Sequence, residues 1–267
     1  MHKFETINQA RLLARKSIRI NTIKWLEAAA EDEFNKDKNI LDLKKIKIIP
    51  KFLNKVGNPK LNISFFGNTY SSPIVIAPMG HQTQFHKDGE TETAKGADKS
   101  SVLSFFGTQG RISLADIRKK NPKLNFGWEI FPFGKLNWIN KQIENVKKNK
   151  CNAIVVCLDA NVRSRRHLDI ETGYDARKFG KRTNPIPQDV EQAKFYDWKL
   201  IRHINKRSKL PVIVKGVLTL HDAKQALKHG AKGIWISNHG GRMLNSGIST
   251  VEALKKISQI KKKNKRI

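Results

Sequence analysis

Short apolar runs recur along this chain at a nearly constant spacing, and that rhythm limits the fold more than any other feature. The runs are Pro73–Ala77, Val102–Phe106, Phe126–Phe131, Ala153–Leu158, Pro211–Val214 and Gly233–Ile236. Each is brief and rich in Val, Ile or Phe, the pattern of strands buried on both faces. Most start about 22–29 residues apart, the size of a βα unit. Helical segments fill the gaps. The clearest opens on Thr219-Leu-His-Asp222, a capping-box sequence, runs through Ala223, Ala226 and Leu227, and stops at Gly230. Six βα units in series admit a (β/α)8 barrel or a doubly wound sheet. The absence of GxGxxG after the first strand favours the barrel. So does the clustering of polar residues at the C-terminal ends of many different strands, which in a barrel form one face.

Upstream, residues 5–45 read as helical, with Ile23, Leu26, Ala30 and Phe34 at a roughly 3.6-residue period. Residues 46–72 carry two short β patterns, IKIIPKF and LNISFFG. Turn signals stand at Gly57-Asn58-Pro59 and Gly67-Asn68. The chain therefore divides into a helical and β-hairpin extension, 1–72, packing on a barrel unit, 73–267. The first half of the gap from Leu158 to Pro211 is polar and bears Pro and Gly, and a long excursion after a strand end is usually functional or disordered.

Composition excludes several classes. The 267 residues carry 52 Lys+Arg against 23 Asp+Glu, a net charge of +29, with a mean hydropathy of −0.53. No run reaches the ~18 apolar residues of a membrane span. The start, MHKFETINQA, has no apolar signal core, so the expected compartment is the cytoplasm. Two cysteines make no disulfide scaffold, and no metal site is expected. On one extended strand Cys151 and Cys157 would lie roughly 20 Å apart, too far to bond. The lysines are spread along the chain as solvated helix-face residues would be. Only the tail, KKISQIKKKNKRI, is densely basic. Specific nucleic-acid binding is not expected.

The strand ends carry the chemistry. Ile236-Ser-Asn-His-Gly-Gly-Arg242 closes the sixth strand; its glycines let backbone approach a ligand. An imidazole there (His239) can take a proton, and an arginine fork (Arg242) can hold a carboxylate. A plain turn with a surface His and Arg is the competing reading. Lys215 follows the fifth strand and suits an electron-rich ring at a barrel mouth. Asp159 ends the fourth and can orient a histidine and stabilise its cation. Arg163, Arg165 and Arg166 follow it as a basic cluster able to bind an acidic substrate, or as a solvated loop. Pro78, Met79 and Gly80 end the first strand and offer backbone groups.

Together PIVIAPMG, the LDA…RSRRH segment, LPVIVKGVLTLHDAKQALKHGAKGIWISNHGGR and AAAEDEF resemble the FMN-dependent α-hydroxy acid oxidase/dehydrogenase family over roughly residues 20–260. The resemblance implies a TIM barrel with FMN at its mouth. The implied activity is oxidation of an L-2-hydroxy acid, lactate- or glycolate-like, to a 2-keto acid, with oxygen or an electron carrier as acceptor. By position it makes His239 the base and Asp159 its carboxylate partner. Arg242 and Arg166 become the carboxylate clamp, and Lys215 the cation beside the flavin ring. Ser237 and Pro78–Gly80 become flavin contacts. Several residues depart from the family pattern. Trp25 and Phe131 stand where substrate-facing tyrosines are usual. Glu129 replaces a flavin-contacting Gln, Cys157 a Thr and Gly107 a Ser. The family also continues beyond a point matching Ile267 with two further βα units that hold the FMN phosphate. The expectation is a truncated member with about six βα units and impaired FMN binding. A complementing C-terminal fragment or an oligomer partner would supply the rest, and an inactive remnant is the alternative reading.

Overall fold

The computed structural model describes residues 4–55, 57–160, 162, 164–180, 182–184 and 190–260. Six parallel strands form one curled sheet in strictly sequential order: β3 (Val75–Ile76), β4 (Leu103–Gly107), β5 (Phe126–Ile130), β6 (Ile154–Cys157), β7 (Val212–Val217) and β8 (Gly233–Ile236). Sequential parallel neighbours linked by helices are the barrel solution, and they exclude the reversal of strand order that a doubly wound sheet needs. The fold is an incomplete (β/α)8 barrel whose edges, β3 and β8, do not meet among the described residues. The connecting helices are α4 (Gly89–Lys99), α5 (Leu114–Lys120), α6 (Leu136–Lys148), α8 (Lys199–Ser208), α9 (Leu220–Lys228) and α10 (Thr250–Ile257). A short α7 (His167–Thr172) lies in the excursion after β6.

Alternation along each strand builds two apolar layers. Phe106, Phe126, Trp128, Ile130, Ile154, Val156, Val212 and Val214 face the helices and meet Leu114, Ile117, Ile139, Ile143 and Ile204. Leu103, Phe105, Val155 and Ile213 face inward and meet Tyr70. Tyr70 belongs to an antiparallel hairpin, β1 (Ile63–Phe65) and β2 (Asn68–Tyr70), that plugs the inner layer with Phe65 and Phe66. Toward the strand C-termini the same inward positions change from apolar to Glu129, Cys157 and Lys215. The parallel register sets Cys157 opposite Lys215 and Lys215 opposite Trp235.

The α9 cap forms in a variant of the expected way. Thr219 Oγ1 accepts the Asp222 N–H at 3.0 Å, but donates to the Asp222 carboxylate at 2.7 Å, so the carboxylate does not reach back to the Thr219 amide. Gly230 follows the helix at φ 98°. Thr219→Ala removes one cap acceptor and should lower stability by about 1 kcal/mol, read as a lower urea midpoint at unchanged slope.

Two expectations upstream need correction. Residues 5–45 form three short helices, α1 (Ile7–Ser17), α2 (Ile20–Glu27) and α3 (Phe34–Lys44). The break falls at Ala28–Ala30, all buried, with Ala28 in extended backbone, while Leu26 and Phe34 are exposed. The Ala30 amide bonds the Gly241 carbonyl at 3.0 Å, so tertiary pairing overrides helical propensity there. IKIIPKF forms no strand: Ile48, Ile49 and Phe52 are exposed and nothing among the described residues pairs with that segment. Of the basic tail, residues 261–267 lie outside the described residues, as does Arg163.

Candidate active site

A cleft of about 1620 Å³ opens at the C-terminal ends of the strands. Pro78, Met79, Gly80, Glu129, Phe131, Arg166, Lys215, Ser237, His239, Arg242 and Trp25 all line it. Asp159, Cys157 and Gly107 lie one layer behind. Gly107 pairs with Glu129 across the sheet.

His239 sits in left-handed backbone, φ 56°, an unusual state for a residue with a Cβ and one that clusters at functional sites. The turn is over-determined by its surroundings. The Asn238 side chain accepts from the Gly241 amide at 3.2 Å and from Asn39 at 3.0 Å, and donates to Asn39 at 2.8 Å. Gly241 is required: φ is +73° and a Cβ there would lie 2.5 Å from the Lys36 amide. His239 Nδ1 is 2.9 Å from Asp159 Oδ1, and Ser237 Oγ donates to Asp159 Oδ2 at 3.2 Å. Burial alone would raise the Asp159 pKa. The His239 hydrogen bond and the Lys215 charge outweigh it and hold the carboxyl below the usual range.

Lys215 reaches this cluster through a bulge. The register shifts between Lys215 and Val217, and Gly216 takes φ +100°. A Cβ on Gly216 would lie 2.6 Å from Asp159 Cβ, so glycine permits the two strand ends to approach. Lys215 Nζ is 3.4 Å from Glu129 Oε1 and 3.9 Å from Asp159 Oδ1. Burial acts against its charge, but the surrounding acidic groups prevail and it stays protonated. Burial pushes Glu129 up to about 7, with Lys215 opposing the rise. Burial also carries the Cys157 thiol well above its ordinary value.

Arg166 and Arg242 lie together in the cleft, and Arg242 has an unexpected further duty. Burial first, then the charge of Arg166, lowers the Arg242 pKa to about 10, the signature of two confined guanidiniums that gain from an anion. Arg242 also donates to the carbonyls of Trp25 (3.1 Å), Leu26 (3.0 Å) and Ala28, and lies 5.2 Å from the Trp25 ring centre. It thereby fastens the end of α2 over the cleft. Arg166 Nη1 reaches Asp169 at 3.4 Å.

The sequence reading missed His81, Phe85 and Tyr174. All three line the cleft and pack around Trp25, with ring centres 5.4, 6.2 and 6.4 Å from it. The signal was weak: His81 directly follows Gly80, but Tyr174 comes from the excursion after β6, where no periodicity exists. Burial drops the His81 pKa to about 4, helped by the charge of Arg111.

The sequence profile of the FMN-dependent dehydrogenase family matches residues 14–267. Human 2-hydroxyacid oxidase 2 is 30% identical over 253 residues, covering 91% of this chain and 72% of that protein. An L-lactate oxidase of Streptococcus iniae is 30% identical, covering 92% of this chain and 64% of the relative. A Pediococcus acidilactici structure described as a lactate oxidase superposes with a TM-score of 0.86 at 27% identity, covering 98% of this chain and 74% of the other. A mandelate oxidase variant solved with an FMN adduct superposes at 0.82 with 25% identity, over 93% and 73% of the two chains. The chain belongs to the FMN-dependent dehydrogenase family, whose cofactor is FMN.

The cleft residues fit the ring end of that cofactor. Gly80 lets the end of the first barrel strand pack closely on Gln109 at the cleft wall, since a Cβ there would meet the Gln109 carbonyl at 2.7 Å. Trp235 and Pro78 supply flat apolar surface, and Lys215 a buried cation. His81 Nδ1 is buried and makes no hydrogen bond; Glu129 Oε1, although at ion-pair distance from Lys215, also lies outside hydrogen-bond geometry. Buried polar atoms in that state gain when a polar ligand fills the cleft. On the side between β8 and β3 the wall is open among the described residues.

Proposed function

We propose that the cleft binds an L-2-hydroxy acid beside FMN and oxidises it to the 2-keto acid. The observation that carries this reading is the His239–Asp159 pair, 2.9 Å from Nδ1 to Oδ1, set in one cleft with Arg166, Arg242 and Lys215. Asp159 fixes the imidazole with its proton on Nδ1. Nε2 is then the nitrogen that accepts the proton leaving the substrate, and the carboxylate stabilises the resulting imidazolium. Arg166 and Arg242 hold the substrate carboxylate, which orients its reacting carbon toward the imidazole. Bound FMN supplies the two-electron acceptor, and oxygen or an electron carrier takes the electrons onward. Lys215 places a buried positive charge at the ring end of the site. Trp25, Phe85 and Phe131 line the cleft with rings that carry no hydroxyl, which favours a substrate with an apolar side chain.

The sheet edges β3 and β8, which pair with no further strand among the described residues, flank the cleft. The test is to purify the chain, add FMN, and follow the flavin absorbance anaerobically as L-2-hydroxy acids are added. A yellow protein bleached by an L-hydroxy acid and indifferent to its D-enantiomer is the expected result. A folded, colourless protein that ignores added FMN would overturn the reading.

A further inference from the structure

Cys157 and Asp159 stand two residues apart at the end of β6 and His239 follows β8 some eighty residues on, and the two strand ends bring their donor atoms together. Cys157 Sγ is 2.9 Å from Asp159 Oδ1, Asp159 Oδ1 is 2.9 Å from His239 Nδ1, and Sγ is 4.0 Å from Nδ1. All three atoms fall within 4.8 Å of one another. We propose that these three residues bind a thiophilic divalent cation, Zn2+ foremost, and that its occupancy switches off His239 as a proton acceptor. The second clause rests on the function proposed above; the first does not.

The geometry is close to what such a cation needs. Tetrahedral zinc with one sulfur at ~2.3 Å and nitrogen and oxygen at ~2.0–2.1 Å sets its ligand atoms roughly 3.3–3.6 Å apart. The two short edges of the triangle must open by about half an ångström and the long edge close by as much. Side-chain rotation covers that. The ligand set, one thiolate, one imidazole and one carboxylate, is soft enough for Zn2+ and poor for Mg2+ or Ca2+.

The charges also balance. Coordination deprotonates a thiol outright, so thiolate and carboxylate together neutralise the dication. Lys215 is the cation that could oppose binding. It stands 3.6 Å from Cys157 Sγ, where an N–H donates to the thiolate, and 3.9 Å from Asp159 Oδ1, so both anionic ligands also face its charge. His239 lines the cleft while Cys157 and Asp159 sit behind it, so the fourth coordination position faces the cleft. With the metal on Nδ1, the imidazole keeps its proton on Nε2 and cannot receive one from a substrate.

The experiment is a Co2+ titration of the full chain without flavin, followed by displacement with Zn2+. The expected result is one Co2+ bound, with a thiolate-to-cobalt charge-transfer band in the near ultraviolet that Zn2+ abolishes. Cys157→Thr should erase the band and weaken Zn2+ binding by more than the ~10–100-fold that outer-shell partners alone carry. Cys151→Ala should keep both, because Cys151 is buried in the helix-facing core. Zinc-edge X-ray absorption of the loaded wild-type chain needs no variant and should show a single sulfur ligand. A folded chain that binds no Co2+, a complex without the charge-transfer band, a zinc shell without sulfur, or a Cys157→Thr chain that binds as tightly as wild type overturns the site. Flavin binding and bleaching are read separately, so failure of the enzymatic reading leaves this result standing.

Discussion

Asp159→Asn is expected to slow anaerobic flavin bleaching by a 2-hydroxy acid about 10³–10⁴-fold while leaving substrate affinity within a small factor. The side chain keeps its size, so the loss is chemical. Asp159 accepts from His239 Nδ1 at 2.9 Å and from Ser237 at 3.2 Å. An asparagine can turn its amide N–H toward the ring. The imidazole then accepts on Nδ1 and carries its proton on Nε2, the wrong tautomer for a base. The negative charge that stabilises the imidazolium disappears as well. On the proposed reading, Arg166 and Arg242 hold the substrate carboxylate independently of this pair, so the effect belongs in the rate and not in KM. His239→Gln should fall in the same range, and the double variant should lose little more than either single one, because the two residues act as a unit. Wild-type rates in Asp159→Asn would end the assignment of His239 as base.

The barrel units were legible from sequence because strands buried on both faces leave dense apolar runs, and a helix must return the chain between parallel neighbours. The strand ends were legible for a related reason. Where an inward-facing row passes from Val155 and Ile213 to Glu129, Cys157 and Lys215, a polar side chain interrupts an apolar strand and marks the cleft floor. Other features left no such trace. Ala28–Ala30 look helical in isolation, and only their burial and the Ala30 bond to Gly241 take them out of the helix. IKIIPKF alternates well enough for a strand, but a strand also needs a neighbour, which local pattern does not encode. Tyr174 reaches Trp25 through an excursion with no period at all. The second duty of Arg242, clamping three carbonyls at the end of α2, depends on a contact spanning more than two hundred residues.

Glu129 should make folding stability depend on pH in a direction unusual for a carboxylate. An ordinary glutamate titrates near 4.5, and burial in this protein pushes Glu129 up to about 7. Between those values the folded state keeps a proton that the unfolded chain has released. Its contribution is therefore fully present below about pH 4.5 and is lost as pH rises through about 7, a total of roughly 3 kcal/mol at ~1.4 kcal/mol per pKa unit. His81 works against this. Burial lowers it from 6.5 to about 4, so it adds stability as pH climbs through the same window. The two contributions oppose each other between about pH 4.5 and 6.5, so the Glu129 contribution is read by difference. Glu129→Gln retains the shape and removes the titration. Relative to wild type, its urea midpoint should rise steadily from about pH 5 to about pH 8, by an amount equivalent to roughly 3 kcal/mol. Asp159, held low, titrates below this window and does not interfere. A constant gap between the two proteins across that range would show that Glu129 is ionised throughout, paired with Lys215 as a permanent salt bridge.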